Sequence, residues 1–269
     1  MRALYNYWAT TQVQPLVSRL VLDYGEKEEP DPFRPQKLID TPPPLANLTS
    51  PKGTEKPQFE TRERIEHQIA RERIPPESQA ELWHRLFLAL SEVEEFLDHV
   101  RDAGRPAYVY PMVVFAAHTG ARRSEIRRSR VLDFDFAAKS VLIREKKKDH
   151  TKVETYRTVP ISPRLEAAMQ DWFKKHGGGP HAICTPSGRA ITDDYATKIM
   201  LAATRGSKWS VVPGWHCLRH SFISNCVARG VDQRMIDQWV GHTTEAMRRR
   251  YSHLLPAVSQ AAILSVFGT

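Results

Sequence analysis

Cysteine is scarce in this chain. The three present in 269 residues, Cys184, Cys217 and Cys226, are odd in number and show no Cys-x-x-Cys spacing, which argues against both a disulfide framework and a cysteine-rich zinc site. A long apolar run is also missing. The most apolar stretch, YVYPMVVFAAH from Tyr108 to His118, is too short to cross a bilayer, and the opening MRALYNYWATTQ lacks an apolar core followed by a small-residue cleavage site. Neither export nor membrane insertion is implied, and a cytoplasmic protein is expected. There is no glycine-rich P-loop, no compelling carboxylate cluster and no internal repeat, so the common signatures of nucleotide-driven and metal-driven chemistry are absent.

What the chain does have is positive charge. Lys plus Arg number 39 against 31 Asp plus Glu, a net +8 that favours an anionic partner, nucleic acid first. The excess is concentrated: 11 Lys or Arg and 5 Asp or Glu fall between Arg122 and Lys152. A solvated face is the plain alternative for any such run. Apolar residues make up 41%, enough for a sizeable core in one large domain or two ordinary ones.

Proline divides the chain, with 11 of 19 in the first 76 residues and eight of those between Pro30 and Pro57. That segment is a poor former of helix or sheet. Before it, Leu4, Tyr7, Trp8, Leu16, Val17, Leu20 and Val21 suit one or two short helices split by Pro15. After it, TRERIEHQIARER carries a thin stripe of Ile65 and Ile69 that suits a helix lying on the main body.

The regular part begins near Glu77. LALSEVEEFLDHVRDAG places Ser91 and Glu94 at capping-box spacing, runs Val93, Phe96, Leu97 and Val100 down one face, and stops at Gly104. YPMVVFAAHTG reads as a buried helix ended by Gly120. VLDFDF, SVLIRE and TYRTVPI read as a small antiparallel sheet, with AAKS as the first turn. Helices return from Ser162, from the TDD at Thr192, from about His216 to Arg229, and at DQRMIDQWVGH, where Met235, Ile236, Trp239 and Val240 read as core. The expected fold class is α+β, mainly helical.

Chemistry concentrates between Trp215 and His253. His216 and Arg219 are three apart, so a helix projects both from one face. A histidine three residues from an arginine is ordinarily structural, and a lone tyrosine such as Tyr251 is ordinarily core or surface. Four motifs in order change that reading: HTGARRSEI, VLIREKKKDHTKVETYRTVPIS, HCLRH and VGHTTEAMRRRYSHL. Together they resemble the tyrosine recombinase, or phage integrase, family, over Glu77 to about Leu255. The resemblance implies the integrase catalytic fold and places the first arginine at Arg122 with Glu125 as its acidic companion. It places the lysine of the β-hairpin at Lys146, the His-x-x-Arg box at His216 and Arg219 followed by His220, the last histidine at His242 and the nucleophile at Tyr251. Lys147 and Lys148 stand beside Lys146 and leave the choice among three lysines open.

The reaction so implied suits these residue types. A phenol of pKa about 10 must attack a phosphodiester that is already polarised. Arg122 and Arg219 are the expected clamp on the non-bridging oxygens, since guanidinium forks stay charged. A lysine with a depressed pKa protonates the departing 5′ oxygen. His216 is read as a base for Tyr251 or a further phosphate donor, and His242 as a donor to a non-bridging oxygen. The product is a 3′-phosphotyrosyl link that a second strand resolves with neither ATP nor metal, so no cofactor is expected. His216, His220 and His242 could be imagined around zinc, but Arg219 and the local positive charge oppose a cation.

Arg123, Arg127, Arg128, Lys147, Lys148, Lys152, Arg248 and Arg249 are expected to contact double-stranded DNA, giving salt-sensitive affinity, although three adjacent arginines (Arg248 to Arg250) cannot all face one way on a helix. Residues 1–25 resemble the end of the family's helical DNA clamp, 26–76 form a Pro-rich linker or arm, 77–255 the catalytic domain, and 256–269 a tail that docks in trans or on its own domain. On this reading the chain is a truncated or alternatively started integrase, its activity impaired by the missing clamp. The expected assembly is a homotetramer on paired sites, associated with the nucleoid of a bacterial or phage system. A type IB topoisomerase-like enzyme and an inactive DNA-binding relative are the alternatives.

Overall fold

The computed structural model describes residues 56–145, 155–241, 244–255, 264 and 267–268. Residues 1–25, expected as the end of a clamp, and the proline-rich run to residue 55 lie outside them, as do Lys146, Lys147, Lys148, Lys152, His242 and most of the tail.

Among the described residues, ten α-helices and three strands follow in chain order: α1 Arg62–Glu72, α2 Ala80–Trp83, α3 Leu90–Asp102, α4 Val109–Thr119, α5 Arg123–Arg128, β1 Phe134–Asp135, β2 Ser140–Arg144, β3 Tyr156–Pro160, α6 Pro163–Lys174, α7 Asp193–Thr204, α8 Trp215–Ala228, α9 Gln233–Val240 and α10 Glu245–Arg249. This is the expected mainly helical α+β fold with a small antiparallel sheet. No helix among the described residues is long and apolar enough to cross a membrane.

α4 organises the core. It is apolar nearly all round, which only a helix enclosed by others tolerates, and it packs against α3, α6 and α8. Met112, Val113, Val114 and Phe115 are fully buried, and truncating any of the larger ones costs roughly 2–5 kcal/mol. Gly120 ends α4 in the left-handed conformation (φ 61°). A Cβ there would lie 2.7 Å from the Phe222 ring, so both backbone and space demand glycine.

α3 carries the expected inward face of Val93, Phe96, Leu97 and Val100. Its cap differs from the expected Ser91–Glu94 box: the helix begins two residues earlier, at Leu90, and the Glu92 carboxylate accepts the Ala89 N–H at 2.8 Å. Tertiary contacts set this start. The Leu88 N–H donates to Ser221 Oγ at 2.8 Å and the Leu88 carbonyl accepts from Asn225 at 2.9 Å, while Glu94 is drawn to Arg164.

The sheet has the order β1-β2-β3, antiparallel throughout, with Val141 opposite Val159 and Ile143 opposite Arg157. The first strand is shorter than expected, because Val131–Asp133 forms a 3₁₀ turn. In β3 the inward positions are Arg157 and Val159, so a guanidinium sits where the alternation calls for an apolar side chain. Thr61 caps α1, Ser162 caps α6, Thr192 caps α7 and Asp232 caps α9 through side-chain oxygens. The eight residues of α9 bury Ile236 and Val240 and half-bury Trp239, but leave Met235 46% exposed, which corrects its placement in the core.

Candidate active site

Two arginines fasten the end of α9. Its last carbonyls are orphans of the helix ladder, and each finds a guanidinium: Arg157 Nε donates to the Trp239 carbonyl and Arg219 Nη2 to the Val240 carbonyl, both at 2.7 Å. Arg219 Nη1 also donates to the Gly120 carbonyl at 2.7 Å, at the end of α4. One side chain on α8 therefore joins the turn leading to Arg122 and the turn leading to residue 242. Arg219 is only 6% exposed, and its bonds go to carbonyls rather than to a carboxylate. Burial, with Arg122 next in effect, lowers its pKa to about 10. It stays charged at neutral pH, balanced in part by the negative ends of α4 and α9.

Arg122 is the residue before α5, and Glu125 holds it. The Glu125 carboxylate accepts the Arg122 backbone N–H at 2.7 Å and its guanidinium at 2.9 Å. Arg157 grips the same carboxylate from β3, with Nη2 to Oε2 at 2.6 Å and Nη1 to Oε1 at 3.2 Å. Burial pushes the Glu125 carboxyl up, but the Arg157 hydrogen bonds and charge, then Arg122, outweigh it and hold the pKa below the usual carboxylate range. The Arg122 side chain remains 42% exposed. Gly241 lies against this cluster, since a Cβ there would meet Glu145 Oε1 at 3.0 Å and Arg157 Nη1 at 3.6 Å.

Tyr251 follows α10 and is only 3% exposed. Its hydroxyl lies 2.8 Å from Nδ1 of His220, one residue along α8 from Arg219. Burial, then the charges of His216, Arg250 and Arg219, pushes His220 down to about pKa 3, so the imidazole hydrogen-bonded to the phenol is neutral. Burial also raises the phenol well above its ordinary value, against the opposing pull of Arg219 and Arg250. His216 is lowered by burial and by Arg219, Arg122 and Arg123. A cleft of about 480 Å³, lined by His84, Arg123, Thr197, Trp215, His216 and His220, opens beside the two histidines.

The fold thus gathers Arg122, Glu125, His216, Arg219, His220 and Tyr251 around the ends of α4, α8 and α9. The described arginines among the expected DNA contacts each have partners within the fold. Arg127 is committed to Asp193 and to the Ile191 carbonyl, Arg123 to Asp193 and Thr197, and Arg128 to the Arg144 carbonyl. These bonds tie α5 to α7 and to β2. Arg248 pairs with Asp237 and Glu245, and Arg249 with Glu245. Two site residues escaped the sequence reading. Arg157 had a usable signal, a charge in phase with Val159 and Ile161. Phe59, whose ring stacks on Tyr251 at 4.7 Å, sits at the end of the proline-rich segment and had none.

The sequence profile of the Phage integrase family matches residues 87–257. The type 1 fimbriae regulatory protein FimB of Escherichia coli K12 is 27% identical over 163 residues, 59% of this chain and 79% of FimB. The tyrosine recombinase XerA of Pyrococcus furiosus is 26% identical over 162 residues, 57% of this chain and 54% of XerA. Among solved structures, the XerH site-specific recombinase bound to palindromic difH substrate matches with TM-score 0.52 and 21% identity, over 66% of this chain and 52% of that one. The Tn1549 transposon integrase in complex with circular intermediate DNA matches with TM-score 0.54 and 16% identity, over 66% and 65%. The chain therefore spans about half the length of XerA and XerH. The profile runs from the start of α3 past Tyr251 and takes in both arginines, the histidines of α8 and the phenol: this chain belongs to the phage integrase family.

Proposed function

We propose that the chain breaks and rejoins double-stranded DNA at specific sites, with Tyr251 as nucleophile. One observation carries the reading. Arg219 is a buried guanidinium held by two carbonyls, with Arg122 near enough to depress its pKa and with its own charge acting on Tyr251. Such a centre is short of one anion, and a phosphodiester supplies it.

Arg122 and Arg219 grip the non-bridging oxygens, and the charge building on them in the five-coordinate transition state is met by donors fixed beforehand. Glu125 and Arg157 are positioning residues for Arg122. The Tyr251 oxygen forms a bond to phosphorus as the bond from phosphorus to the 5′ oxygen breaks. The phenolic proton passes to a neutral imidazole of α8, and the 5′ oxygen takes its proton from Lys146 or a neighbouring lysine. A 5′ hydroxyl from a second strand reverses these steps to give recombinant DNA. Two sites paired by a homotetramer on nucleoid DNA in the cytoplasm complete the exchange.

The test is covalent capture. Full-length protein is mixed with a pool of nicked duplexes of random sequence, in which the short 5′ product diffuses away and strands the enzyme on the 3′ end. The expected result is a protein–DNA adduct that is absent from Tyr251→Phe, with captured sequences that converge on one site. An adduct that persists in Tyr251→Phe overturns the assignment. Relaxation of a supercoiled plasmid carrying no captured site would identify a topoisomerase-like enzyme instead.

A further inference from the structure

The nucleophile is walled in by a segment upstream of the family-matching region. Lys56–Glu60 crosses the site as a strap: the Phe59 N–H donates to the Arg250 carbonyl at 3.2 Å, Arg250 Nε donates to the Pro57 carbonyl at 2.8 Å, and Glu60 pairs with the backbone on either side of Leu86. Phe59 is fully buried. Its ring centroid lies 4.0 Å from that of His220 and 4.7 Å from that of Tyr251, at interplanar angles of 30° and 25°. The Arg250 guanidinium rests 3.7 Å from the same ring. The residue next to the nucleophile therefore clasps the strap whose aromatic ring covers the nucleophile.

In-line attack brings the phenolic oxygen to about 3–3.5 Å from phosphorus. A duplex phosphate cannot approach that closely to a side chain enclosed to this degree and already bonded to His220. Arg122 needs no such rearrangement, since its side chain is 42% exposed. Of the walls around Tyr251, His220 belongs to the core helix α8, whereas Phe59 belongs to an extended segment outside any helix or strand. The strap is the wall that gives way.

We propose that Phe59 is a positioning residue that holds Tyr251 retracted against His220, and that the Lys56–Glu60 strap, clasped by Arg250, must lift before the phenol reaches DNA. This rests on Tyr251 being the nucleophile. If the released state is a minor population of about 10% or less, removing the ring speeds the first covalent step about tenfold or more.

Two readouts on full-length protein test this separately from the function. The first needs no DNA: tetranitromethane nitration at Tyr251, followed by mass spectrometry, with exposed Tyr156 and Tyr195 as internal references. Tyr251 is expected to be protected in the wild type and several-fold more reactive in Phe59→Ala, in Phe59→Leu, which keeps apolar volume, and in Arg250→Gln, which loosens the clasp. The second is the single-turnover rate of covalent capture, expected to rise in the same variants at unchanged DNA affinity, while Phe59→Tyr retains the slow rate. Unchanged nitration, or slower capture in variants whose thermal midpoint is intact, overturns the proposal. Should the wild type form no adduct, the assigned reaction fails, and nitration alone decides whether the strap shields Tyr251.

Discussion

Arg157 Nη2 lies 2.6 Å from Glu125 Oε2, and both side chains are almost entirely buried. This bond joins β3 to α5 behind Arg122, so it fixes the carboxylate that holds that guanidinium. Breaking a buried pair strands a charge. Glu125→Gln is expected to cost about 3 kcal/mol or more in urea unfolding. A loss below about 1 kcal/mol would mean that the pair is solvated and does not position Arg122.

His220 makes stability depend on pH. Its pKa falls from 6.5 to about 3 on folding, so the unfolded chain binds the proton more readily. The contribution is fully present above pH 6.5 and is lost as pH falls from there towards 3. From about pH 8 to about pH 5 this amounts to about 2 kcal/mol. His216, lowered in the same direction, adds its own share. Comparing the wild type with His220→Asn at both pH values isolates the His220 part, and equal losses in the two proteins would exclude it.

Charge alone does not replace Arg219. A lysine has no planar fork and cannot span the Gly120 and Val240 carbonyls while reaching a phosphate. Arg219→Lys is expected to slow covalent capture by about a hundredfold or more, close to Arg219→Ala. Near-normal capture by the lysine variant would show that only a point charge is needed.

Gly120 is expected to resist substitution. Alanine there meets both the positive φ and the Phe222 ring, and Gly120→Ala should lose roughly 1–3 kcal/mol. Adding Phe222→Leu relieves the contact but not the backbone strain, so it should restore only part of the loss. Full recovery in thermal unfolding would assign the whole cost to crowding.

Local spacing carried much of this structure into the sequence, and failed where distant segments intervene. His216, Arg219 and His220 share a helix face by arithmetic, but only the packing of α8 on the Tyr251 segment decides that His220 touches the phenol. Met235 stands next to Ile236 in the sequence, yet the short helix turns it outward. Ser91 has the chemistry of a cap, but Ser221, far along the chain, fixes where α3 starts. The arginines of the basic patch illustrate the same limit, because composition does not tell a guanidinium that ties α5 to α7 from one that faces DNA.

The double carbonyl anchorage of Arg219 has a practical corollary for anyone dissecting this site. In the proposed reaction one guanidinium is both a structural rivet for two helix ends and a reagent, so its replacement disturbs architecture and reactivity together. Arg122, braced by Glu125 and 42% exposed, is the cleaner handle: there, lost turnover with intact melting behaviour reports on chemistry alone.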